Sequence, residues 1–148
     1  MARKPQLPPI GRSLPIAMMR ARETVMAPIR ATLSASGITE PQWRILRVLA
    51  EDGPSDATHV SDRACLLLPS LIRIARSMAD RELIHMAHDP LDRRRQVLDL
   101  GYEGTLLLAA NASAVADIVE GYKARLGNED YELLLDLLAV LGDPPGTS

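Results

Sequence analysis

Apolar residues recur at helical spacing in six segments of the chain, and residues that cap or break helices separate these segments. Gly37 follows the first segment, the stretch "DGP" follows the second, and Gly127 precedes the last. The pattern therefore predicts six helices, in the segments 14–35, 39–51, 55–67, 68–83, 102–126 and 128–142. The third helix is predicted to be short, about two turns.

Short polar side chains mark the predicted helix starts, where they accept hydrogen bonds from unpaired backbone N–H groups. Thr39 is followed three residues later by Gln42, which is the spacing of a capping box. Pro69 lies in the first turn of its helix, a position that proline favours. The other predicted N-caps are Ser13, Ser55 or Asp56, and Asn128.

Between residues 84 and 100 the hydrophobic period changes from helical to two, which is typical of strands. The stretch "IHMAH" places Ile84, Met86 and His88 on one face, and "QVLDL" alternates in the same way. The polar loop "DPLDRRR" joins the two stretches. This pattern predicts a β-hairpin.

The order of these elements is that of a winged helix, in which a helix–turn–helix precedes a hairpin. The fold class is therefore mainly α with a small β-hairpin wing (α+β). Residues 1–13 are rich in proline and polar groups and are predicted to be a flexible arm before a single domain, 14–148. Within that domain, residues 36–101 form the winged helix–turn–helix lobe, and 14–35 and 102–142 flank it as dimerisation helices.

The last two predicted helices are apolar around most of their circumference, as the stretch "YELLLDLLAVL" illustrates. Helices of this kind have to be buried on all sides. The small winged-helix lobe cannot cover both of them and the first helix as well. We therefore predict a homodimer whose interface is made by the terminal helices.

The composition excludes several classes of protein. The chain has 148 residues, is 47 % hydrophobic and 24 % charged, and has a single cysteine, so it is globular and has no internal disulfide. No apolar run approaches the roughly 20 residues of a membrane span. No metal-ligand cluster, catalytic triad or phosphate loop is visible. The sequence predicts a cytoplasmic protein that binds no membrane, is not an enzyme and needs no metal or cofactor.

Basic residues concentrate in the middle of the chain, although the net charge is −2. Residues 73–95 hold six arginines against four acids, whereas eight acids oppose two bases from residue 103 onward. On the fourth predicted helix, the outward face carries arginines and serines, which suit guanine edges and phosphates. This face consists of Ser70, Arg73, Arg76, Ser77 and, in part, Ile72. A solvated basic face is the alternative.

Three consecutive arginines, Arg93, Arg94 and Arg95, lie at the tip of the predicted hairpin. Exposed ion pairs contribute only about 0–1 kcal/mol, so fold stability does not explain the run. A minor groove attracts arginine through its negative potential. Asp92 would hold Arg94 in an extended pose. A solvated charged turn is the alternative, but the position directly after a candidate recognition helix favours DNA.

The wing "DPLDRRRQVLDL" resembles the D-P-x-D-x-R…V-x-L signature of the MarR family of winged-helix regulators. "GITEPQWRILRVL" and "CLLLPSLIRI" are similar to the branch that regulates homoprotocatechuate (hydroxyphenylacetate) degradation operons, and the likeness covers about residues 14–142. It implies a dimeric repressor on a pseudo-palindromic operator with half-sites about 34 Å apart. The candidate DNA contacts are Pro69, Ser70, Ile72, Arg73, Arg76, Ser77, Asp92, Arg93, Arg94 and Arg95.

Three positions depart from the family pattern. Ile72 stands where the branch usually has Thr, which removes a hydrogen bond and favours contact with a thymine methyl. Glu82 stands where a Gly usually closes the recognition helix, so that cap should find another geometry. "DLGYEG" replaces "LTPxG", which loses a Thr cap and a helix-initiating Pro.

Arg22 lies in the middle of the apolar stripe of the first predicted helix. A guanidinium there has to reach solvent, pair with an internal carboxylate, or bind the carboxylate of a ligand. The resemblance implies an effector pocket between the dimerisation helices and the winged-helix lobe. The candidate ligand-binding residues are Met19, Arg22, Met26, Trp43 and Arg44, for a small aromatic acid whose binding releases DNA.

Two other functions stay open on the sequence. A winged-helix dimer can act through protein contacts, in which case binding would lack the steep salt dependence of a DNA complex. Alternatively, Cys65 at the helix–turn–helix bend could sense redox state, although a lone cysteine is more often a small buried hydrophobe.

Overall fold

A computed structural model describes residues 6–143. This part contains six α-helices and a three-stranded antiparallel sheet, which confirms the predicted winged-helix fold class. The helices are α1 (Leu14–Ala35), α2 (Glu40–Asp52), α3 (Ala57–Arg63), α4 (Leu68–Asp80), α5 (Tyr102–Leu126) and α6 (Asn128–Gly142). The strands are β1 (Ser55–Asp56), β2 (Ile84–His88) and β3 (Gln96–Leu100).

The segment predicted as a flexible arm is only partly described, because residues 1–5 lie outside the described range. Within it, Ile10–Arg12 form one turn of 3₁₀ helix directly before α1. None of the helices in residues 6–143 is long and apolar enough to cross a membrane.

Two of the predicted helix caps are confirmed. Thr39 and Gln42 form the capping box, with the Gln42 amide oxygen 3.0 Å from the Thr39 backbone nitrogen. Asp56, rather than Ser55, caps α3, and its carboxylate accepts a hydrogen bond from the backbone N–H of His59 at 2.8 Å. These caps fix the starts of the two helices on which the lobe is built.

Ser13 lies at the predicted N-cap position without the capping hydrogen bond, and the predicted cap Asn128 is wrong. Ser13 occupies the N-cap position of α1, but its side chain makes no capping hydrogen bond. Pro15 in the first turn of that helix has no N–H to donate, which removes one of the bonds that a capping serine accepts. Asn128 is already helical, and Gly127 precedes it with φ +86° and a backbone carbonyl that accepts from Tyr131 N–H at 3.0 Å.

The sheet holds the wing against the helix–turn–helix. β3 lies in the middle, between β1 and β2, and both neighbours are antiparallel to it. In the hairpin, Ile84 pairs with Leu100 and Met86 pairs with Leu98. The third strand, β1, was not predicted, because two residues are too few for an alternating pattern to be visible.

The core of the lobe is built from the inner faces of α2, α4 and the sheet. Leu71, Ala75 and Met78 are fully buried on α4. The other fully buried large side chains include Leu33, Ile45, Leu46, Leu49, Val60, Ile84 and Leu98. This packing leaves the opposite face of α4 at the surface.

Large apolar side chains are exposed in the single chain on the flanking helices. α6 has no buried residue, although six of its fifteen residues are leucine. The exposed apolar residues include Met18 and Met19 on α1, Leu106 and Leu126 on α5, and Leu133, Leu134, Leu135, Leu137, Leu138, Val140 and Leu141 on α6. Such a continuous apolar surface on terminal helices fits burial by a second subunit.

Three helices end in the same C-terminal motif, in which a left-handed residue closes the helix. At the end of α4, Leu83 N–H donates to the Met78 carbonyl at 3.0 Å and Glu82 N–H donates to the Ala79 carbonyl at 3.0 Å. Gly37 and Cys65 close α1 and α3 in the same way, with φ of +70° and +53°. The expectation that Glu82 would find another geometry is wrong, since its φ is +58°. This cap also ends α4 at Asp80, earlier than predicted.

The start of α5 packs backbone against backbone on the residues that follow α4. Gly101 N–H donates to the Leu83 carbonyl at 2.9 Å. A Cβ on Gly101 would overlap the Glu82 carbonyl oxygen, and one on Gly104 would overlap the Leu83 carbonyl oxygen and lie 2.9 Å from Leu46 Cδ2. Both positions therefore require glycine.

Replacing Glu82 by glycine should stabilise the protein. The left-handed conformation costs a residue with a Cβ about 1–2 kcal/mol, and the extra freedom of glycine in the unfolded chain offsets about 0.5–1 kcal/mol of that gain. We expect Glu82→Gly to raise the free energy of unfolding by about 0.5–1 kcal/mol, measured by urea denaturation at fixed protein concentration. The control Glu51→Gly, in the last turn of α2, should lower it by a similar amount; an equal loss in both variants would contradict the strain at Glu82.

Replacing Gly104 by alanine should destabilise the protein. The added methyl group meets a backbone carbonyl that cannot move without displacing the wing, and overpacking of this kind costs about 1–3 kcal/mol. We expect Gly104→Ala to lower the midpoint of urea denaturation markedly. Gly11→Ala is the matched control, because nothing lies within 4 Å of a Cβ added there. Equal denaturation midpoints for the two variants would show that the close contact at Gly104 does not affect stability.

Candidate nucleic-acid interface and a second cleft

The outward face of α4 carries the predicted polar residues. Arg73, Arg76 and Ser77 are exposed, and Ser70 and Ile72 are partly exposed. Within residues 6–143, neither arginine forms an ion pair. Pro69 is exposed in the first turn. The face therefore offers two unneutralised guanidinium groups to the surroundings.

Two aspartates fold the wing loop by accepting hydrogen bonds from its own backbone. Asp89 Oδ1 accepts from Leu91 N–H at 2.8 Å, and Asp92 Oδ1 accepts from Arg94 N–H at 3.0 Å. Asp89 N–H and the Arg95 carbonyl close the loop at 2.9 Å. Asp92, expected to hold Arg94 in an extended pose, thus orders the backbone of that residue.

The three arginines of the wing have different partners. Arg93 and Arg94 are exposed and have no ion pair within the described residues. Arg95 instead bonds to the carboxylate of Asp56, the cap of α3. The pKa of Asp56 lies below its usual value, because the His59 backbone N–H and then the Arg95 guanidinium stabilise the carboxylate. Arg95 therefore fastens the wing to the helix–turn–helix.

A cleft of about 510 Å³ lies between α4 and the wing, and it brings the two predicted groups together. Ile72 and Arg76 line it from the helix, and Arg94 and Arg95 line it from the wing. The remaining predicted contacts, Pro69, Ser70, Arg73, Ser77, Asp92 and Arg93, lie outside its lining. Sequence reasoning missed the other lining residues, which are Asp56, Ala57, Thr58, Leu68, His88 and Gln96.

The charge of this cleft favours a polyanion. Asp56 is the one carboxylate in its lining, and Arg95 neutralises it. Arg76 and Arg94 are left to face the open side. A concave surface with free guanidinium groups, beside a helix with further free arginines, has the chemistry of a site for phosphates and base edges.

A second cleft, of about 330 Å³, lies between α1, α2 and the turn that joins α3 to α4. Three of the five predicted ligand-binding residues line it, namely Met26, Trp43 and Arg44. Trp43 is only 6 % exposed, so most of its ring belongs to the core. The other lining residues are Ile29, Glu40, Arg47, Val48, Glu51, Arg63, Ala64 and Cys65.

Arg22 and Met19 do not line this cleft. The Arg22 side chain is 58 % exposed and donates to Glu40 Oε1 at 2.7 Å, so the guanidinium is paired with an internal carboxylate, one of the alternatives left open by the sequence. Met19 lies on the exposed face of α1. Sequence reasoning missed Glu40, whose position at the start of α2, next to the capping box, was the available signal.

Arg44 joins the second cleft to the helix–turn–helix. Its Nη1 donates to the Ala64 carbonyl at 2.7 Å and to the Cys65 carbonyl at 3.3 Å. Its Nε lies 3.7 Å from Glu40 Oε1 and is buried without a hydrogen-bond partner among residues 6–143. One guanidinium thus contacts the turn before α4 and also presents an unsatisfied donor.

Cys65 and the histidines form no metal site among the described residues. Cys65 is a free, exposed thiol in the left-handed position that closes α3. His59 Nε2 lies 2.7 Å from Asp52 Oδ2, where Arg63 also binds, and these contacts hold the pKa of Asp52 below its usual value, Arg63 first and His59 second. Across residues 6–143, no group of His, Cys, Asp and Glu side chains could hold a metal ion.

The sequence matches a known family over the helix–turn–helix and most of the wing. The model of the MarR family matches residues 38–95. The chain is 36 % identical over 129 residues to the HTH-type transcriptional regulator FarR of Neisseria gonorrhoeae, covering 87 % of this chain and 88 % of that protein. It is 32 % identical over 126 residues to the homoprotocatechuate degradative operon repressor of Escherichia coli, covering 85 % of each.

The same fold occurs in a solved structure of NadR in complex with 4-hydroxyphenylacetate. The two chains superpose with a TM-score of 0.79 and 34 % sequence identity, over 95 % of this chain and 97 % of that one. The family model covers α2 to the wing, and the structural match covers 95 % of this chain. The chain belongs to the MarR family and is a winged-helix transcriptional regulator.

Proposed function

We propose that two copies of the chain form a repressor that binds a pseudo-palindromic operator, and that a small aromatic carboxylate releases it from DNA. The observation that carries the proposal is that Arg76 on α4 and Arg94 on the wing line one cleft, free of ion pairs within the described residues. A helix and a wing that present arginines side by side suit adjacent grooves of one duplex.

In this proposal α4 enters the major groove. Arg73 and Arg76 supply donors for guanine edges and phosphates, and Ser70 and Ser77 supply hydroxyl groups for phosphates. Pro69 and Ile72 contribute apolar contact close to the base edges. The inner face of α4 is fixed by the buried Leu71, Ala75 and Met78, which keeps the reading face in one orientation.

The wing enters the minor groove. Arg93 and Arg94 extend from a loop whose backbone is already ordered by Asp89 and Asp92, so little conformational freedom remains to be lost on binding. Arg95 acts from a distance by holding the wing to Asp56. Of the three wing arginines, two therefore contact DNA and the third positions them.

A dimer is needed for an operator of two half-sites. MarR regulators bind DNA as homodimers, and the exposed leucines of α6 are the surface available for this interface. The flanking helices would then set the distance between the two copies of α4, which should match one helical turn of DNA, about 34 Å.

The second cleft is the proposed effector site. The Escherichia coli relative is a repressor of a homoprotocatechuate degradative operon, and the NadR structure holds 4-hydroxyphenylacetate. In this chain Arg44 Nε is a buried donor that a carboxylate would satisfy, and Met26 and the Trp43 edge give an apolar wall for a ring. Arg22, which binds the lining residue Glu40, would exchange it for the same carboxylate, whereas Met19 lies too far out on α1 to take part.

Effector binding would act on α4 through Arg44. The Arg44 guanidinium also donates hydrogen bonds to the Ala64 and Cys65 carbonyls. A ligand carboxylate that binds this guanidinium would therefore favour a different position of the turn before α4. The ligand can shift the dimer away from the DNA-bound form only by its differential affinity for the two forms. The proposed activity is binding, without catalysis or a cofactor, and its place is the cytoplasm, where the operator is.

Arg94→Ala should weaken operator binding roughly 10- to 100-fold, because each dimer loses two charged minor-groove contacts. The slope of log affinity against log salt should also become shallower by about 2. Fluorescence anisotropy with the DNA flanking the protein's own gene, at several salt concentrations, measures both quantities. Arg125→Ala, which removes a charge from the end of α5, is the matched control. An equal loss of operator affinity in this variant would show that the wing does not contact DNA.

Replacing Arg44 should weaken the effect of the effector on operator binding. We expect 4-hydroxyphenylacetate to release the wild-type protein from its operator, and Arg44→Gln and Arg22→Ala to need roughly 10-fold more ligand or greater. Isothermal titration without DNA separates loss of ligand affinity from loss of coupling. The matched ligand is 4-hydroxyphenethyl alcohol, which lacks the carboxylate; if it releases the wild type equally well, no arginine anchors an acid.

A further inference from the structure

Two apolar side chains lie on the reading face of α4, where the predicted contacts are otherwise polar. Leu68 is 41 % exposed at the first position of the helix, and Ile72 is partly exposed one turn later. Most of the other exposed apolar residues of the described chain lie on the flanking helices α1, α5 and α6, the surface available to a second subunit. Leu68 and Ile72 are in the lobe instead and line the cleft between α4 and the wing.

The helix places these two residues in one row with an arginine. Positions 68, 72 and 76 are four residues apart, so their side chains follow one another along one side of α4. All three line the same cleft, with Arg94 opposite. Ile72 also packs against the buried core, which fixes its position, whereas Leu68 has more of its surface free.

The charges around this row decide what can cover it. Arg76 and Arg94 are without ion pairs among residues 6–143, and Asp56, the one carboxylate in the lining of the cleft, is paired with Arg95. An apolar protein surface laid on the row would bury free guanidinium groups without anionic partners, which is unfavourable. A DNA duplex supplies phosphates for the arginines at the same time as it covers the apolar row.

The edges of DNA bases in the major groove carry one apolar group, the 5-methyl of thymine. A leucine and an isoleucine one turn apart match two such methyl groups on neighbouring base pairs better than they match any donor or acceptor. They also disfavour bases that present a polar group at that place, because a base donor or acceptor would lose its water without gaining a partner.

We infer that Leu68 and Ile72 are specificity-determining residues that read thymine methyl groups in each operator half-site. This inference rests on the proposed operator binding and adds the base that this part of α4 selects. Arg76 supplies affinity beside the row, and the row itself supplies discrimination that does not depend on salt.

The test uses duplexes recovered by selection from a random-sequence DNA library with the full-length protein. Each thymine is then replaced singly by deoxyuridine, which removes only the methyl group and leaves phosphates and hydrogen-bonding edges unchanged. We expect one or two positions in each half-site where wild-type affinity falls about fourfold per methyl, from the usual value of a buried methyl group. Replacement in both half-sites together should cost about 16-fold.

Variants identify the side chain that contacts the methyl group. In Leu68→Ala, which changes an exposed position, the same deoxyuridine duplex should bind within about twofold of the thymine duplex. Ile72→Val, which trims one methylene and keeps the core packing, should reduce the effect at the neighbouring thymine. Arg76→Ala is the matched control, since it should bind more weakly at low salt but keep the fourfold methyl effect. Thermal unfolding checks that each variant folds.

Two results would overturn the inference while leaving operator binding intact. One is a selected duplex in which no deoxyuridine replacement changes affinity. The other is a methyl effect that stays fourfold in both Leu68→Ala and Ile72→Val. Failure of the proposed function looks different, because then the selection enriches no sequence and binding does not respond to Arg94→Ala; in that case the inference falls with it.

Discussion

The contact on which the arrangement of the molecule depends is the close approach of two backbones where α5 begins. Gly101 and Gly104 lie directly against the carbonyl groups of Glu82 and Leu83, at the point where α4 ends and the wing begins. Because no side chain separates these segments, the lobe cannot rotate against α5 without breaking the contact. The orientation of α4 is therefore fixed relative to α5, and in a dimer built on the flanking helices it would set the distance between the two copies of α4.

The three consecutive arginines of the wing differ in their partners, although they are neighbours in the sequence. Arg95 pairs with a carboxylate that already caps a helix, so the wing is fixed to the element that leads into α4. Arg93 and Arg94 form no ion pair among the described residues, and the loop aspartates Asp89 and Asp92 accept from backbone N–H groups of the wing. In the second cleft, likewise, Glu40 forms an ion pair with Arg22, and Arg44 Nε has no hydrogen-bond partner among the described residues.

Much of the fold could be predicted from local patterns, and most of what was missed depends on contacts distant in sequence. The periods of 3.6 and 2, the capping box at Thr39 and the turn residues predict six helices and the hairpin. The pairing of Arg22 with Glu40 and the bond from Arg44 to the turn carbonyls join residues 18 and 20 positions apart, which no local period encodes. Glu82 was mispredicted because tertiary contacts hold a strained residue in the place of glycine.

The position of Arg44 has a thermodynamic consequence for the cell. If one guanidinium serves both the effector and the turn before the recognition helix, the two binding events are linked and the coupling is reciprocal. The factor by which the aromatic acid weakens operator binding is then the factor by which the operator weakens binding of the acid. Free dimers would therefore take up the acid before operator-bound dimers do. A surplus of repressor would buffer the acid and raise the concentration at which the operon responds.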